Sequence, residues 1–371
     1  MSKLIVVVGA GLSGLYAARL LANAGQRVML IEARSKIGGR VLEGKLTDPK
    51  LHADLGPTWY WPEWNPRMRA LVQLFGLRHF PQHRTGADLY EQANGNQLRH
   101  VTSEAAGPSA YRIQGGMIKL LERLRESQIE IPIEFNARLI GIRLTDSKQL
   151  ELTIEQHGMR LQIQAHHVIC TIPPRLLLQD VDASPAWPTA LMRQWENTPT
   201  WMAPHAKFVA IYPTAFWREA GYSGHAISER GPLGEIHDAS DSAPALFGFF
   251  HYPAHRRRQF DHETLKQLAL QQLAKLFGPQ ALKPLVSWTK DWAVDPLTAS
   301  ARDSAPLRCH PNYRAPPQPA NWKGLLYFAG TECAPTNGGF LEGALEAAEN
   351  AVAELLKDEF FTSTEGTQQE D

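Results

Sequence analysis

The stretch from Leu4 to Glu32 constrains this chain more than any other. An apolar run, Leu4-Ile5-Val6-Val7-Val8, leads into the turn Gly9-Ala10-Gly11-Leu12-Ser13-Gly14. A helical pattern follows to about Ala24, then a second apolar run, Val28-Met29-Leu30-Ile31, that ends on Glu32. Strand, glycine turn, helix and strand in this order form a unit that binds dinucleotides. Gly9 permits the tight turn, Gly11 lets backbone approach a pyrophosphate, and Gly14 lets the helix pack close to the strand. The helix N-terminus points unpaired N–H groups at the phosphates, so Gly9, Gly11, Leu12, Ser13 and Gly14 are the expected contacts. Glu32 lies near the ~20-residue spacing at which an acid accepts hydrogen bonds from a ribose diol. A glycine signature alone is weak evidence; here the strand, the helix and the acid accompany it.

The length of 371 residues suggests two domains, and the composition, 43% apolar and 20% charged, is that of a soluble globular chain. Lys+Arg and Asp+Glu both number 38, so no overall field favours nucleic acid or an anionic membrane. The basic run His255-Arg256-Arg257-Arg258 reads as the solvated approach to a helix over Glu263 to Phe277. The N-terminal apolar run is too short for a signal peptide and leads straight into the turn, and no apolar run approaches the ~18 residues of a membrane span. Cys170, Cys309 and Cys333 are odd in number and far apart, which suggests reduced thiols and a cytoplasmic setting. The polar tail after Phe361 is expected to be disordered.

After Glu32 comes Ala33-Arg34-Ser35-Lys36-Ile37-Gly38-Gly39-Arg40-Val41, where paired glycines flanked by arginines suit a second phosphate contact. An aromatic-rich turn, Asp54 to Pro62, precedes a helix over Met68 to Phe75, closed by Gly76. Residues 80–109 are weakly patterned, with a turn at Ala93-Asn94-Gly95-Asn96, and Gly115-Gly116-Met117 opens an amphipathic helix to Arg125. Strands are expected over Ala137 to Leu144, Leu150 to Gln156 and Leu161 to Gln164, a meander that returns to the main sheet through Val168 to Ile172, where Pro173-Pro174 stop it. Between Pro185 and Trp201 prolines break the helix signals, and Ala206 to Tyr212 and Leu246 to Tyr252 read as strands of a second sheet. Past the proline-rich loop Pro306 to Pro319, a buried strand (Leu325 to Ala329), the loop Gly330-Thr331-Glu332 and a helix from about Gly339 to Lys357 close the fold. No metal-ligand spacing is found among the 14 histidines; His166 and His167 are adjacent and point to opposite faces of a strand, so no metal is expected.

Taken together, these blocks resemble the flavin-containing amine oxidases, the group of monoamine and polyamine oxidases. The resemblance rests on Val7 through Glu32, Glu32-Ala33-Arg34 to Gly39-Arg40-Val41, Asp54-Leu55-Gly56, and Tyr327-Phe328-Ala329-Gly330-Thr331-Glu332 running into Gly339-Phe340-Leu341-Glu342-Gly343-Ala344. The N-terminal blocks also occur in desaturases and porphyrinogen oxidases, whereas the C-terminal block is more specific. The resemblance implies an α/β fold, a discontinuous Rossmann-like FAD-binding domain (1–79, 110–178 and 303–358) interleaved with an α+β substrate domain on a mixed sheet (80–109 and 179–302), with a disordered tail over 359–371. It also implies that Glu32 holds the adenosine ribose, that Arg34 and Arg40 lie near the phosphates and flavin, and that Ala33 and Gly39 belong to the cofactor-binding set. Gly56, Pro57 and Thr58 would approach the ring system, and Ile140 the adenine. Gly330, Glu332, Gly339, Phe340 and Leu341 would contact the ribityl chain and the pyrimidine edge.

On the substrate side, Lys207 falls on the family's lysine that hydrogen-bonds through water to flavin N5, an alignment resting on Lys207 to Tyr212 and Phe216-Trp217-Arg218. Trp292 and Phe340, with Trp59, Trp61 and Trp64, are candidates for an aromatic substrate box; Phe340 stands where monoamine oxidases carry a tyrosine. Where some members carry a flavin-bonding cysteine this chain has Ala299-Ser300-Ala301, so FAD is expected to be non-covalent. The implied activity is oxidation of a small-molecule amine to an imine by hydride transfer to flavin N5, with oxygen as acceptor and hydrogen peroxide as product. The alternatives are a desaturase or porphyrinogen-oxidase type, a renalase-like oxidase of nicotinamide nucleotides, and a non-catalytic FAD-binding partner protein.

Overall fold

The structure is a computed structural model, and it describes residues 3–48, 50–101 and 109–366. The chain forms two compact units, Met1–Arg40 with Leu120–Trp201 and Cys309–Asp371, and Val41–Lys119 with Met202–Arg308.

The first unit is built on a five-stranded parallel sheet in the order Leu326–Phe328, His167–Cys170, Leu4–Val8, Arg27–Ile31 and Ile133–Glu134. Parallel strands are buried on both faces and read as continuous apolar runs; Ile5, Val6 and Val7 are fully buried. The helix Leu12–Asn23 crosses from the first strand to the second. The expected meander is a separate four-stranded sheet of Met159–Ala165, Leu150–Gln156, Ala137–Leu144 and Asp182–Ser184. Its buried side chains, Leu139, Leu152 and Ile154 among them, share a core with Val6, Val168 and the indoles of Trp187, Trp195 and Trp322. Pro174 does more than stop the preceding strand. With Pro173 as N-cap it opens the helix Pro174–Asp180, the position where a missing N–H does no harm. The last helix, Leu341–Gly366, runs beyond Lys357 into the segment expected to be disordered, since a helix already nucleated upstream adds one backbone hydrogen bond for each further residue it fixes. Residues 367–371 of that tail lie outside the described residues.

The second unit centres on a seven-stranded mixed sheet in the order Val286–Asp291, Ala206–Ile211, Ala245–Phe250, Leu233–Asp238, Tyr222–Ser228, Ala87–Glu91 and Gln97–Val101. The weakly patterned segment therefore supplies the last two strands at one side of this sheet, and the turn expected at 93–96 joins them. The helix His262–Phe277, N-capped by the Asp261 carboxylate, buries Leu265, Leu270, Leu273 and Leu276 in a core with Phe208, Ala210 and Leu246 from the sheet. One reading of the basic run needs correction. Arg257 is buried; it donates to both carboxylate oxygens of Asp291 at 2.6 and 2.8 Å and to the carbonyls of Pro204 and Tyr252. A guanidinium reaches four acceptors from a short helix, and composition alone could not place it inside.

Removing Arg257 leaves Asp291 and two carbonyls short of partners. Arg257→Ala is expected to lower unfolding free energy by about 3–5 kcal/mol, measured by chemical denaturation. A loss below about 1 kcal/mol, the scale of a surface pair, would contradict this account.

Candidate active site

In the first unit the dinucleotide turn has the local geometry its sequence requires. Gly9 has φ 102°, and a Cβ there would meet the Thr171 hydroxyl at 2.3 Å. At Gly14 a Cβ would lie 1.9 Å from the Gly9 carbonyl oxygen, so only glycine lets the helix start this close to the strand. The helix Leu12–Asn23 has Gly11 as N-cap, no side-chain cap and no acid in its first turn, which leaves its N–H groups available to an anion. The Ser13 hydroxyl is turned away, donating to the Ala329 carbonyl. Glu32 is buried at the end of the second strand and accepts from the Ala10 amide at 2.7 Å and the Arg34 amide at 2.8 Å. Two bonds leave a carboxylate with further lone pairs for a diol.

Around this turn the other expected residues of the unit gather. Gly38 donates to the Ala10 carbonyl at 3.0 Å and bridges to Gly11, which brings the Gly38-Gly39 turn onto the glycine loop. Arg40 forms a fork on Glu332 at 2.5 and 3.2 Å, joining residues nearly the whole chain apart. Burial opposes the Arg40 charge, but the field and hydrogen bonds of Glu332 outweigh it and hold the guanidinium above its ordinary range. Arg34 contributes main chain, its carbonyl accepting from Asn136. Ile140 falls at a bulge: the ladder with Leu150–Gln156 skips from Leu139 to Gly141. A bulge takes backbone out of the ladder, and bulges recur beside functional sites. Gly330 precedes the short helix Thr331–Cys333, and Thr331 donates to the Phe340 carbonyl at 2.9 Å, fixing the loop before Leu341. The cradle, an uncapped helix start, a buried acid with spare lone pairs and an arginine beside it, fits an adenine dinucleotide.

Phe340 is 47% exposed and stacks on His310, with centroids 4.9 Å apart and planes 5° apart. The Trp201 ring packs edge-on against His310, and Tyr313 accepts from the Trp201 amide at 3.0 Å while donating to the Pro199 carbonyl. Sequence reading did not single out Trp201, His310 or Tyr313 as site residues. They sit among prolines without strand or helix periodicity, and only the folded loops bring them to Phe340.

In the second unit, Lys207 is the notable group. It opens the strand Ala206–Ile211 and is only 2% exposed, so it is not the solvated lysine that such a position usually holds. Its ammonium donates to the Gly56 carbonyl at 3.1 Å and to the Thr58 hydroxyl, and lies 4.1 Å from the Phe247 ring centroid. Burial pulls its pKa from 10.5 down to about 7; Asp54 partly offsets this and Arg112 adds to it. Asp54 is itself held above the usual carboxylate range by burial, and it accepts from the Met117 amide at 2.8 Å. Gly115 donates to Asp241, so both ends of the Gly115-Gly116-Met117 turn rest on carboxylates.

Trp292 is buried and donates from its indole to the Leu55 carbonyl at 3.1 Å. Lys207 and Trp292 thus bracket the Leu55-Gly56-Pro57-Thr58 turn. Trp59 packs on Phe247 at 5.3 Å and on Trp61 at 6.5 Å, whereas Trp64 is 62% exposed and joins no ring stack among the described residues. Ser300 pairs with Asp303 in a capping box, so its hydroxyl serves the local fold. Of the cysteines, Cys170 and Cys333 are buried and Cys309 is exposed, and all three are free. Burial pushes the Cys170 thiol up to about 12 and the Cys333 thiol higher still. No helix among the described residues is long and apolar enough to cross a membrane.

Comparison with known proteins gives a consistent result. The family model described as flavin containing amine oxidoreductase matches residues 90–356, and that of an NAD(P)-binding Rossmann-like domain matches residues 7–75. Amine oxidase [flavin-containing] B of Bos taurus is 26% identical over 95% of this chain and 86% of its own length. Amine oxidase [flavin-containing] of Danio rerio is 24% identical over 95% and 85%. Among solved structures, cyclohexylamine oxidase from Brevibacterium oxydans IH-35A superposes with a TM-score of 0.80 at 20% identity, covering 96% of this chain and 99% of the other. Putrescine oxidase bound to putrescine gives 0.77 at 19%, with the same coverage.

The buried amine makes stability depend on pH with a defined sign. Between about 7 and 10.5 the unfolded chain holds the Lys207 proton and the folded chain does not, so this residue's contribution to stability rises with pH across that window. Below it both states are protonated and the folded state carries an unfavourable buried charge. The stability difference, Lys207→Met minus wild type, is therefore expected to fall as pH rises through that window. Denaturation curves at about pH 6.5 and about pH 9 measure it; a difference that does not change with pH would show that the amine is solvated.

Proposed function

Because the chain belongs to the flavin-containing amine oxidoreductase family, we propose that it oxidises the C–N bond of a small amine to an imine, which water then hydrolyses to a carbonyl compound and ammonia or a smaller amine. It is a flavin-dependent oxidoreductase with FAD as cofactor. Bound FAD supplies the acceptor for the equivalent of a hydride from the carbon next to the amine nitrogen. With the N–H proton lost as the imine forms, the overall change would be balanced by oxygen taking up two electrons and two protons to give hydrogen peroxide.

The chain's own residues supply binding, geometry and proton handling. Glu32 would accept hydrogen bonds from the adenosine ribose, and the N–H groups at the start of Leu12–Asn23 would face the pyrophosphate. Arg40, kept charged and oriented by Glu332, would add a cation beside the phosphates. Ile140 would present its bulged backbone to the adenine. Attachment would be non-covalent, since Ala299-Ser300-Ala301 offers no thiol where some members of the family bond the flavin.

The observation that carries the catalytic part is Lys207, an amine buried against Phe247, tied to Gly56 and Thr58, and shifted to a pKa of about 7. A lysine desolvated to this range exchanges protons at neutral pH, and its remaining N–H or lone pair can fix a water. Trp292, by donating to Leu55, would hold the turn that carries Gly56, Pro57 and Thr58. Phe340, backed by His310 and Trp201, would form an apolar wall for the substrate.

Anaerobic mixing of the purified flavoprotein with benzylamine, cyclohexylamine, putrescine and spermidine tests the reading. At least one amine is expected to bleach the flavin absorbance, with peroxide formed stoichiometrically when air is admitted. Bleaching by NADH and by no amine would instead support a nicotinamide-nucleotide oxidase. Lys207→Met is expected to slow turnover on the order of 100-fold, the scale of a positioned proton-handling group. The wild-type rate should show an inflection near pH 7 that the variant lacks. An unchanged rate in the variant would remove Lys207 from the mechanism.

A further inference from the structure

In the same unit as Lys207, two neighbouring strands of the seven-stranded sheet, Tyr222–Ser228 and Leu233–Asp238, bring His225, Glu235 and His237 together. Glu235 and His237 are two residues apart on the strand Leu233–Asp238, so they share a face. His225 lies one residue from the Ala226–Ile236 pair on the antiparallel neighbour, which sets its ring 4.9 Å from that of His237. One ligand atom from each of the three lies within 4.8 Å of the others. His237 Nε2 is 2.7 Å from Glu235 Oε1. The Nδ1 atom of His225 is buried without a hydrogen bond, and Asp88 Oδ2, from the strand Ala87–Glu91, makes an ion-pair contact with it at 3.1 Å. Asp88 is itself positioned by the Ser223 hydroxyl at 2.5 Å, and Ser223 accepts from the His225 amide.

From this geometry we infer that His225, Glu235 and His237 form a binding site for a divalent transition-metal ion of the zinc type, with Asp88 as a fourth ligand or as the carboxylate that orients His225. Two imidazoles and a carboxylate are a donor set that zinc takes in tetrahedral coordination, and a carboxylate held on a ligating histidine is the usual outer partner of such a site. The two carboxylates outweigh the charge of Arg84, whose guanidinium is 3.9 Å from Asp88. The Glu235 side chain is 48% exposed while that of His237 is 7% exposed, so the site opens to solvent on one side, and an ion can enter without unfolding. Bound there, an ion would pin the strands Tyr222–Ser228 and Leu233–Asp238 together, and through Asp88 it would also engage Ala87–Glu91. It would also fix His237, against which Trp59 packs edge-on at 4.7 Å and Phe247 stacks at 5.1 Å. The competing description is a buried histidine hydrogen-bonded to Glu235 inside an aromatic core, with no ion. The two differ in what a metal titration shows.

The test uses the untagged, full-length flavoprotein, stripped with EDTA and desalted, then titrated with zinc sulfate and separately with cobalt sulfate. One equivalent of metal per chain is expected to survive desalting, and zinc is expected to raise the melting temperature. His237→Ala should abolish both effects. Because His237 is buried, that variant could also damage the fold, so Glu235→Gln, at the solvent edge, is the second probe. It should weaken zinc binding about 10-fold or more while keeping the wild-type flavin content and metal-free melting temperature. Retention of neither metal by the wild type would overturn the site, as would equal zinc binding by wild type and Glu235→Gln.

Discussion

The approach of Gly14 to the carbonyl of Gly9 is the contact on which the first unit depends. A Cβ at Gly14 would stand 1.9 Å from that oxygen, so any other residue would push the helix away from the strand. With the helix held there, its uncapped N-terminus opens beside the ends of three parallel strands, Leu4–Val8, Arg27–Ile31 and His167–Cys170. Everything else in the cradle arrives at that point: Glu32 from the second strand, the Gly38-Gly39 turn through Ala10, and Ala329 through the Ser13 hydroxyl. The outermost strand, Leu326–Phe328, delivers Glu332 to Arg40. Ligand sites in open parallel sheets lie outside the carboxyl ends of the strands, and a chain that closes its sheet with a remote strand must contribute its two ends to one such site.

This half was legible in the sequence because its determinants are local. Gly9, Gly14 and Glu32 act over a few residues or at a spacing the strand–helix–strand unit fixes, and fully buried parallel strands such as Leu4–Val8 announce themselves as apolar runs. The strands Ala137–Leu144 and Leu150–Gln156 were equally plain, since one face is buried and the residues alternate. The second sheet was only partly readable. Tyr222–Ser228 and Leu233–Asp238 carry glycine, serine, histidine and aspartate inside their spans, and these residues mask the period of two. Their polar side chains are accommodated by partners that are distant in sequence: Ser228 donates to Glu91, and Asp238 accepts from Trp217 and Arg218. Arg257 and the His225–Glu235–His237 cluster belong to the same class. Each is a polar group whose burial is decided by tertiary neighbours, which local propensity does not encode.

Lys207 shows what the folded chain adds to a resemblance. By sequence alone, a lysine at the start of a strand is a surface residue; only its match to a family position argued otherwise. In the structure every neighbour works on its charge. Phe247 and Phe249 exclude water, Gly56 and Thr58 accept its hydrogen bonds, Asp54 favours the ammonium and Arg112 disfavours it. Had an ionised Asp54 dominated, Lys207 would remain an ordinary ammonium, a fixed charge of little use in moving a proton. Burial acts on both members, raising the pKa of Asp54 and lowering that of Lys207, so the attraction between them is weakened from both sides. A buried lysine in this state sits close to the pH at which its two protonation forms are equally populated. That makes its environment, more than its identity, the property that suits it to proton exchange, and it accounts for the concentration of desolvating rings and neutral acceptors around one amine.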